Sequence, residues 1–396
     1  MLRELAIHLY LFVFHVIFNI CKLFPKEKKV VAVASFGDNI MYTARALKQL
    51  DDQKIIVLKD GKCKYEFDST IDQTFDFKVT KPFDFIKSIY HLATASTVLI
   101  DNYQGFLAVT EFRPGVRCIQ LWHAAGSLKR FGLEDPTNEA RTSKAMERFK
   151  QVYSRFHYTI VGSEKMVETF QKSFGLSDER FIRTGIPRSD ILFNEQVKHD
   201  VYAELIEKHP MIKGKKIILY APTFRHEQLE NYQLELDLKQ LYRDLSDDYV
   251  LFIKLHPAVS NLVNYEQYEG FVYDVSYFTE TNALLLVTDI LISDYSSIPF
   301  EYALLEKPMI FFAYDMDEYK ITNGLIRDYE EQMPGPVVFT TFEIIRTIKE
   351  DDFDLGQVRA FSDKWNEYST GNASMNLAKF IAGVEEEEKE REEVSV

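Results

Sequence analysis

Cysteine is scarce. Only Cys21, Cys63 and Cys118 occur among 396 residues, widely separated and without metal-ligand spacing. A disulfide framework and a zinc ribbon are thereby excluded, and a reducing compartment fits. Positive charge is also short: 47 Lys and Arg stand against 61 Asp and Glu, a formal net charge of −14. The tail Glu385–Glu393 holds seven Glu against Lys389 and Arg391, which accounts for −5 and leaves −9 for the body. That balance argues against a broad nucleic-acid surface, so an anionic substrate needs a local site. No GxGxxG, no GxxxxGK(S/T) and no GxSxG occurs, which leaves dinucleotide, P-loop and hydrolase-elbow sites unsupported. With 46% hydrophobic and 27% charged residues the composition is that of a globular protein, long enough for two domains.

The most apolar stretch is LAIHLYLFVFHVIFNICKLF, residues 5–24. Placed on a helix, Glu4, His8, His15, Asn19, Lys22 and Lys26 fall within a sector of roughly 60°. A polar stripe on a greasy helix suits a segment lying in the membrane interface, with the stripe toward headgroups or protein. Lys22, Lys26, Lys28 and Lys29 would attract anionic lipid. The alternatives are a helix docked on its own domain and a full span. No A-x-A-like site follows the run, which argues against a cleaved signal peptide.

After Pro25 the chain alternates β-branched apolar runs with helical patterns, the signature of parallel strands covered on both faces. Strands are predicted at 30–35, 55–58, 98–101, 118–122 and 159–162, with helices at 39–50, 83–94, 142–156 and 165–174. The polar segment 187–215 reads as a link. A second series follows, with strands at 216–221, 249–255, 272–275, 289–293 and 309–312, helices near 236–245, 282–287 and 299–305, and a last helix near 373–383. The expected organisation is a membrane-associating helix (1–25), two doubly wound Rossmann-like α/β domains (26–195 and 196–383) facing a cleft, and an acidic disordered tail (384–396).

Four segments could carry chemistry. In LWHAAGSLKRFG, His123 ends a strand where an imidazole can take a proton from a hydroxyl. Gly126 would let backbone approach a ligand, and Lys129 and Arg130 could meet an anion. In YAPTFR a Pro turn delivers Arg225, whose fork suits a diphosphate. In KLHP, Lys254 and His256 reach a strand edge beside Pro257. The segment DILISDYSSIPFEY runs a buried strand through Asp294 into Ser296 and Ser297 and opens a helix with Pro299 in its first turn, a phosphate seat. Each also has a structural reading, as a strand-end histidine, an ion-pair arginine or simple capping. The triplets Asp315-Met316-Asp317 and Asp352-Phe353-Asp354 read as chance, outside this constellation.

The ordered motifs WHAAGSLKRFG, APTFR, KLHP and TDILISDYSSIPFEYALLEKPMIFFAYD, with YSTGNAS at the close, resemble the CDP-glycerol glycerophosphotransferase family of bacterial teichoic acid synthesis. Length and the run WHAAGSLKRFGLEDPTN place the chain nearer members that prime the polymer than the longer polymerases, which tend to read His-Gly-Thr-Pro where this chain has His123-Ala124-Ala125-Gly126. The resemblance implies a GT-B-type fold, a CDP-glycerol donor, no cofactor or required metal, and an undecaprenyl-diphosphate-linked disaccharide acceptor at the cytoplasmic face of the membrane. Other teichoic acid enzymes are further candidate partners. On this reading His123 is the base, Arg225 and His256 are catalytic, and Asp294, Ser296, Ser297, Lys129, Gly126 and Lys254 bind substrate. A CDP-ribitol donor, a primed acceptor, a GT-B sugar-nucleotide glycosyltransferase and a membrane-docked scaffold are the competing readings.

Overall fold

The computed structural model describes residues 2–225, 232–256, 259, 263–323, 325–326 and 328–384. Pro257 and the expected acidic tail from residue 385 lie outside them. The chain divides into two compact units.

In the first unit, strands β1 (Lys29–Ala34), β2 (Lys54–Lys59), β3 (Gln73–Asp76), β4 (Thr97–Ile100), β5 (Arg117–Gln120), β6 (Tyr158–Ile160) and β7 (Phe181–Ile182) form a parallel sheet in the order 3-2-1-4-5-6-7. β1 is buried along its whole length, and Val31 sits in register between Ile56 and Val98. Its apolar run is therefore continuous rather than alternating.

The second unit repeats the plan. Strands β8 (Lys216–Tyr220), β9 (Tyr249–Ile253), β10 (Val272–Asp274), β11 (Ile290–Ser293), β12 (Met309–Phe312) and β13 (Val337–Val338) form a parallel sheet in the order 10-9-8-11-12-13. Strand order reverses between β1 and β4 in one unit and between β8 and β11 in the other. The carboxyl ends of those pairs are where such sheets place ligands.

The units differ from the expected boundaries near 195 and 383. The closing helix Ala373–Ala382 belongs to the first unit, which reclaims the chain from Tyr368. Its Leu377, Ala378 and Ile381 are buried, and Arg117 donates to the carbonyl of Phe380 at 2.9 Å. Residues 124–130 group instead with the second unit. There a Cβ on Gly126 would lie 2.2 Å from the Phe300 ring, and Ile326 N donates to the Leu128 carbonyl at 3.0 Å.

The first helix, α1 (Leu2–Cys21), docks on the first unit. Phe14 and Phe18 are fully buried among Phe77, Phe85, Phe106 and Phe112. The polar stripe turns to protein at two points: Arg148 grips Glu4 through two hydrogen bonds, and His15 Nδ1 donates to the Val109 carbonyl at 3.0 Å. Opposite the buried face, Leu5, Leu9, Phe12 and Ile20 are each more than half exposed. The segment Glu4–Cys21 is long and apolar enough to cross a membrane by length and composition, with a mean hydropathy of 1.7.

Candidate active site

In the first unit the chemistry gathers at the β1–β4 switch point. β5 stops at Gln120, two residues short of the expected strand end, and Trp122 takes a left-handed conformation with φ 54°. That conformation is uncommon outside glycine and needs support. The Gln120 side chain accepts from Trp122 N at 2.8 Å, and Asn39 Nδ2 donates to the Leu121 and Trp122 carbonyls at 3.3 and 3.1 Å.

His123 follows, half-buried. Its Nδ1 donates to the Asp101 carbonyl at 3.0 Å, which leaves Nε2 as the acceptor nitrogen. The Phe36 ring stacks on the imidazole at 4.2 Å and 16°. Burial lowers the His123 pKa to about 4, with Arg188 adding to the fall while the Asp101 bond and the Asp38 charge oppose it. The imidazole is therefore neutral near pH 7, the form a proton acceptor needs.

This shift has a stability consequence. The unfolded chain binds a proton at His123 below about pH 6.5 and the folded one does so only near pH 4, so stability falls as pH drops through that window. His123→Asn should flatten the acid side of the stability profile there by at most roughly 3 kcal/mol, measured by denaturant unfolding at each pH.

The Asp101 carboxylate fills the loop after β1, accepting from Ser35, Phe36 and Gly37 N at 2.8–2.9 Å. Three converging N–H groups at a switch point are otherwise a ready anion hole. Here the protein's own carboxylate occupies it.

In the second unit the β8 and β11 ends hold one another. Asp294 is 1% exposed and accepts from Thr223 N and Oγ1, both at 2.8 Å, and from Arg225 Nη2 at 3.1 Å. Asp315 takes Arg225 bidentately, Nε at 2.7 Å and Nη2 at 2.9 Å, and accepts from the Tyr295 hydroxyl. Arg225 Nη1 also donates to the Thr223 carbonyl at 2.5 Å. Burial pulls the Arg225 pKa down, but the Asp315 hydrogen bond and the Asp294 charge outweigh it and raise it. Burial raises the Asp294 pKa against the pull of Arg225 and Thr223.

Several expectations change. Arg225 was expected to meet a diphosphate, yet those four bonds leave one of its five N–H groups. It positions the APTFR turn. Asp294, expected to bind substrate, is taken up by the same ion cluster through Thr223 and Arg225. Gly126 packs against the Phe300 ring, which an added Cβ would meet at 2.2 Å. Lys254 turns inward to the Phe278 carbonyl at 2.5 Å, and burial lowers its pKa to about 8. The helix after Ser297 is only Ile298–Tyr302, and Ser296 Oγ caps it locally by accepting from Ile298 N at 3.2 Å. Asp315 joins this cluster although its DMD triplet reads as chance in the sequence; only the fold gathers the turns after β8, β11 and β12 at one edge of the sheet.

His256 is exposed, with the Phe224 ring 4.6 Å from its own. Lys129 lies 5.1 Å over the Tyr319 ring, and no described acceptor takes a hydrogen bond from its ammonium. Burial lowers the Lys129 pKa, Asp294 opposes this and Arg225 adds to it. Ser296 and Ser297 are half-buried beside the same cluster. Among the described residues no group of three His, Cys, Asp or Glu gathers as a metal site.

The comparisons agree with this architecture. The family described as CDP-glycerol:poly(glycerophosphate) glycerophosphotransferase matches residues 18–383. The teichoic acid glycerol-phosphate primase of Bacillus subtilis (strain 168) is 36% identical over 386 residues, 96% of this chain and 98% of that one. A teichoic acid poly(ribitol-phosphate) polymerase of Bacillus spizizenii is 35% identical over 95% of this chain but only 60% of its own length. In solved structures, the wall teichoic acid polymerase TagF superposes with a TM-score of 0.79 at 24% identity, covering 98% of this chain and 99% of that one, which shows the shared fold. The chain therefore belongs to the CDP-glycerol glycerophosphotransferase family and is a transferase of that type in teichoic acid synthesis.

Proposed function

We propose that this protein primes wall teichoic acid synthesis: it transfers one sn-glycerol 3-phosphate unit from CDP-glycerol to undecaprenyl-diphosphate-linked N-acetylmannosaminyl-N-acetylglucosamine and releases CMP. The observation that carries the reading is the 36% identity to a glycerol-phosphate primase over 98% of that protein's length. The sugar hydroxyl attacks the β-phosphorus. A new O–P bond forms, the bond from that phosphorus to the CMP oxygen breaks, and the hydroxyl proton passes to Nε2 of His123. Positioning and preorganised charge supply most of the rate in such transfers.

The anion hole of the first unit is already filled by Asp101, which supports holding the donor diphosphate on the second. There Lys129 supplies the principal cation, with Ser296, Ser297 and His256 beside it. Lys129→Ala should raise the KM for CDP-glycerol roughly tenfold, the size of one charge-assisted hydrogen bond, with little change in thermal stability. The assay is CMP release at varied donor concentration.

The exposed face of α1 supports a peripheral seat on the cytoplasmic side of the membrane, where a lipid-linked acceptor resides. Leu9→Glu with Phe12→Glu should abolish sedimentation with anionic vesicles and spare turnover on a soluble acceptor analogue. Equal loss of both would instead make α1 a structural helix only.

The function itself is tested by supplying purified protein with CDP-glycerol or CDP-ribitol and a lipid-disaccharide analogue. A product heavier by one glycerol phosphate, formed from CDP-glycerol only, is expected. A ladder of additions or equal use of CDP-ribitol would favour the polymerase or ribitol reading.

A further inference from the structure

We infer that Asp101 is the positioning residue for His123, setting both the imidazole and the aromatic ring that backs it. The inference rests on the proposed role of His123 as proton acceptor.

Asp101 follows β4 and is fully buried. It acts through two different groups. Its main-chain carbonyl takes the Nδ1 proton of His123 at 3.0 Å, which selects the tautomer with Nε2 open. Its carboxylate takes the N–H groups of Ser35, Phe36 and Gly37 at 2.8, 2.9 and 2.8 Å. Those three bonds fix the loop that carries Phe36, and Phe36 lies nearly parallel to the imidazole at 4.2 Å. One residue thus sets a ring nitrogen from one direction and a ring face from another.

Ser35 Oγ is tied separately, donating to Asp60 and accepting from Gln104 at 3.1 Å, whereas the Phe36 and Gly37 N–H groups turn to the carboxylate. Gly37 stands at φ 103°, a conformation that disfavours a side chain, and an added Cβ would lie 2.6 Å from Cβ of Tyr65. Phe36 itself is 44% exposed, too solvated for burial to hold it in place. Without the carboxylate the three N–H groups lose their acceptor, and Phe36 is free to leave the imidazole. A proton acceptor displaced by about 1 Å loses on the order of 100-fold in rate.

The test uses Asp101→Asn and Phe36→Leu in the full chain, each alone and combined with His123→Ala. Turnover of CDP-glycerol is read together with the 15N shifts of the His123 ring. Asp101→Asn is expected to lower kcat on the order of 10- to 100-fold, leave the donor KM within about twofold, and shift the ring resonances of His123 as Phe36 moves off its face. Phe36→Leu, at a half-exposed position that does not threaten folding, should lower kcat in the same direction by a smaller factor. Neither change should cost anything further in the His123→Ala background. Wild-type kcat and ring shifts in Asp101→Asn would overturn the positioning role while leaving the base role standing. Additive losses on top of His123→Ala would also overturn it. Full activity of His123→Ala alone would instead remove the base role on which it rests.

Discussion

His123→Ala is expected to retain the affinity for CDP-glycerol and lose turnover by on the order of 10² to 10⁴. The magnitude is that of one positioned proton acceptor. The direction follows from the imidazole's surroundings: Nδ1 is committed to the Asp101 carbonyl and burial keeps the ring neutral. A group held this way contributes to the transition state, where the hydroxyl proton moves, and little to the ground state. Loss should therefore fall on kcat rather than on the donor KM. A rise in KM with kcat unchanged, measured by steady-state CMP release, would assign His123 to binding instead.

Arg225→Ala is expected to destabilise the second unit by about 3–5 kcal/mol, because it strands buried carboxylates. Asp294 and Asp315 side chains are only 2% and 18% exposed, and both carboxylates depend on the same guanidinium. Arg225→Lys should recover only part of this, since an ammonium cannot bind Asp315 bidentately while reaching Asp294. Chemical denaturation checks the stability, and donor titration of the surviving folded fraction checks the site. Were Arg225 instead chiefly a phosphate ligand, its loss would spare stability and raise KM alone. Three aromatic rings reinforce the structural role from nearby, Tyr295, Tyr314 and Tyr319, with centroids 5.2, 5.5 and 4.7 Å from the guanidinium carbon; a cation so enclosed is part of the core.

The central strands were legible in the sequence because parallel strands covered on both faces carry unbroken apolar runs, as Lys29–Ala34 and Ile290–Ser293 do. The edge strands β3, β7 and β13 were not. β3 reads QTFD with no buried residue, and β7 and β13 are two residues each, so neither periodicity nor length marks them. His123 was legible as a strand-end imidazole. Its controls were not, since Asn39 opens a helix, Phe36 and Asp101 follow β1 and β4, and all three meet His123 only through strand order 1-4-5. Arg225 shows the opposite failure. A guanidinium in a turn advertises anion binding, and the sequence gives no sign that Asp315, 90 residues on, answers it. The closing helix was read correctly as a helix and assigned to the wrong unit, because an amphipathic pattern names a buried face and not its partner.

Calorimetric titration of CDP-glycerol into His123→Ala and Lys129→Ala separates the two roles most directly. The account predicts wild-type affinity in His123→Ala and roughly tenfold weaker binding in Lys129→Ala. Lost binding in His123→Ala, with binding unchanged in Lys129→Ala, would contradict it.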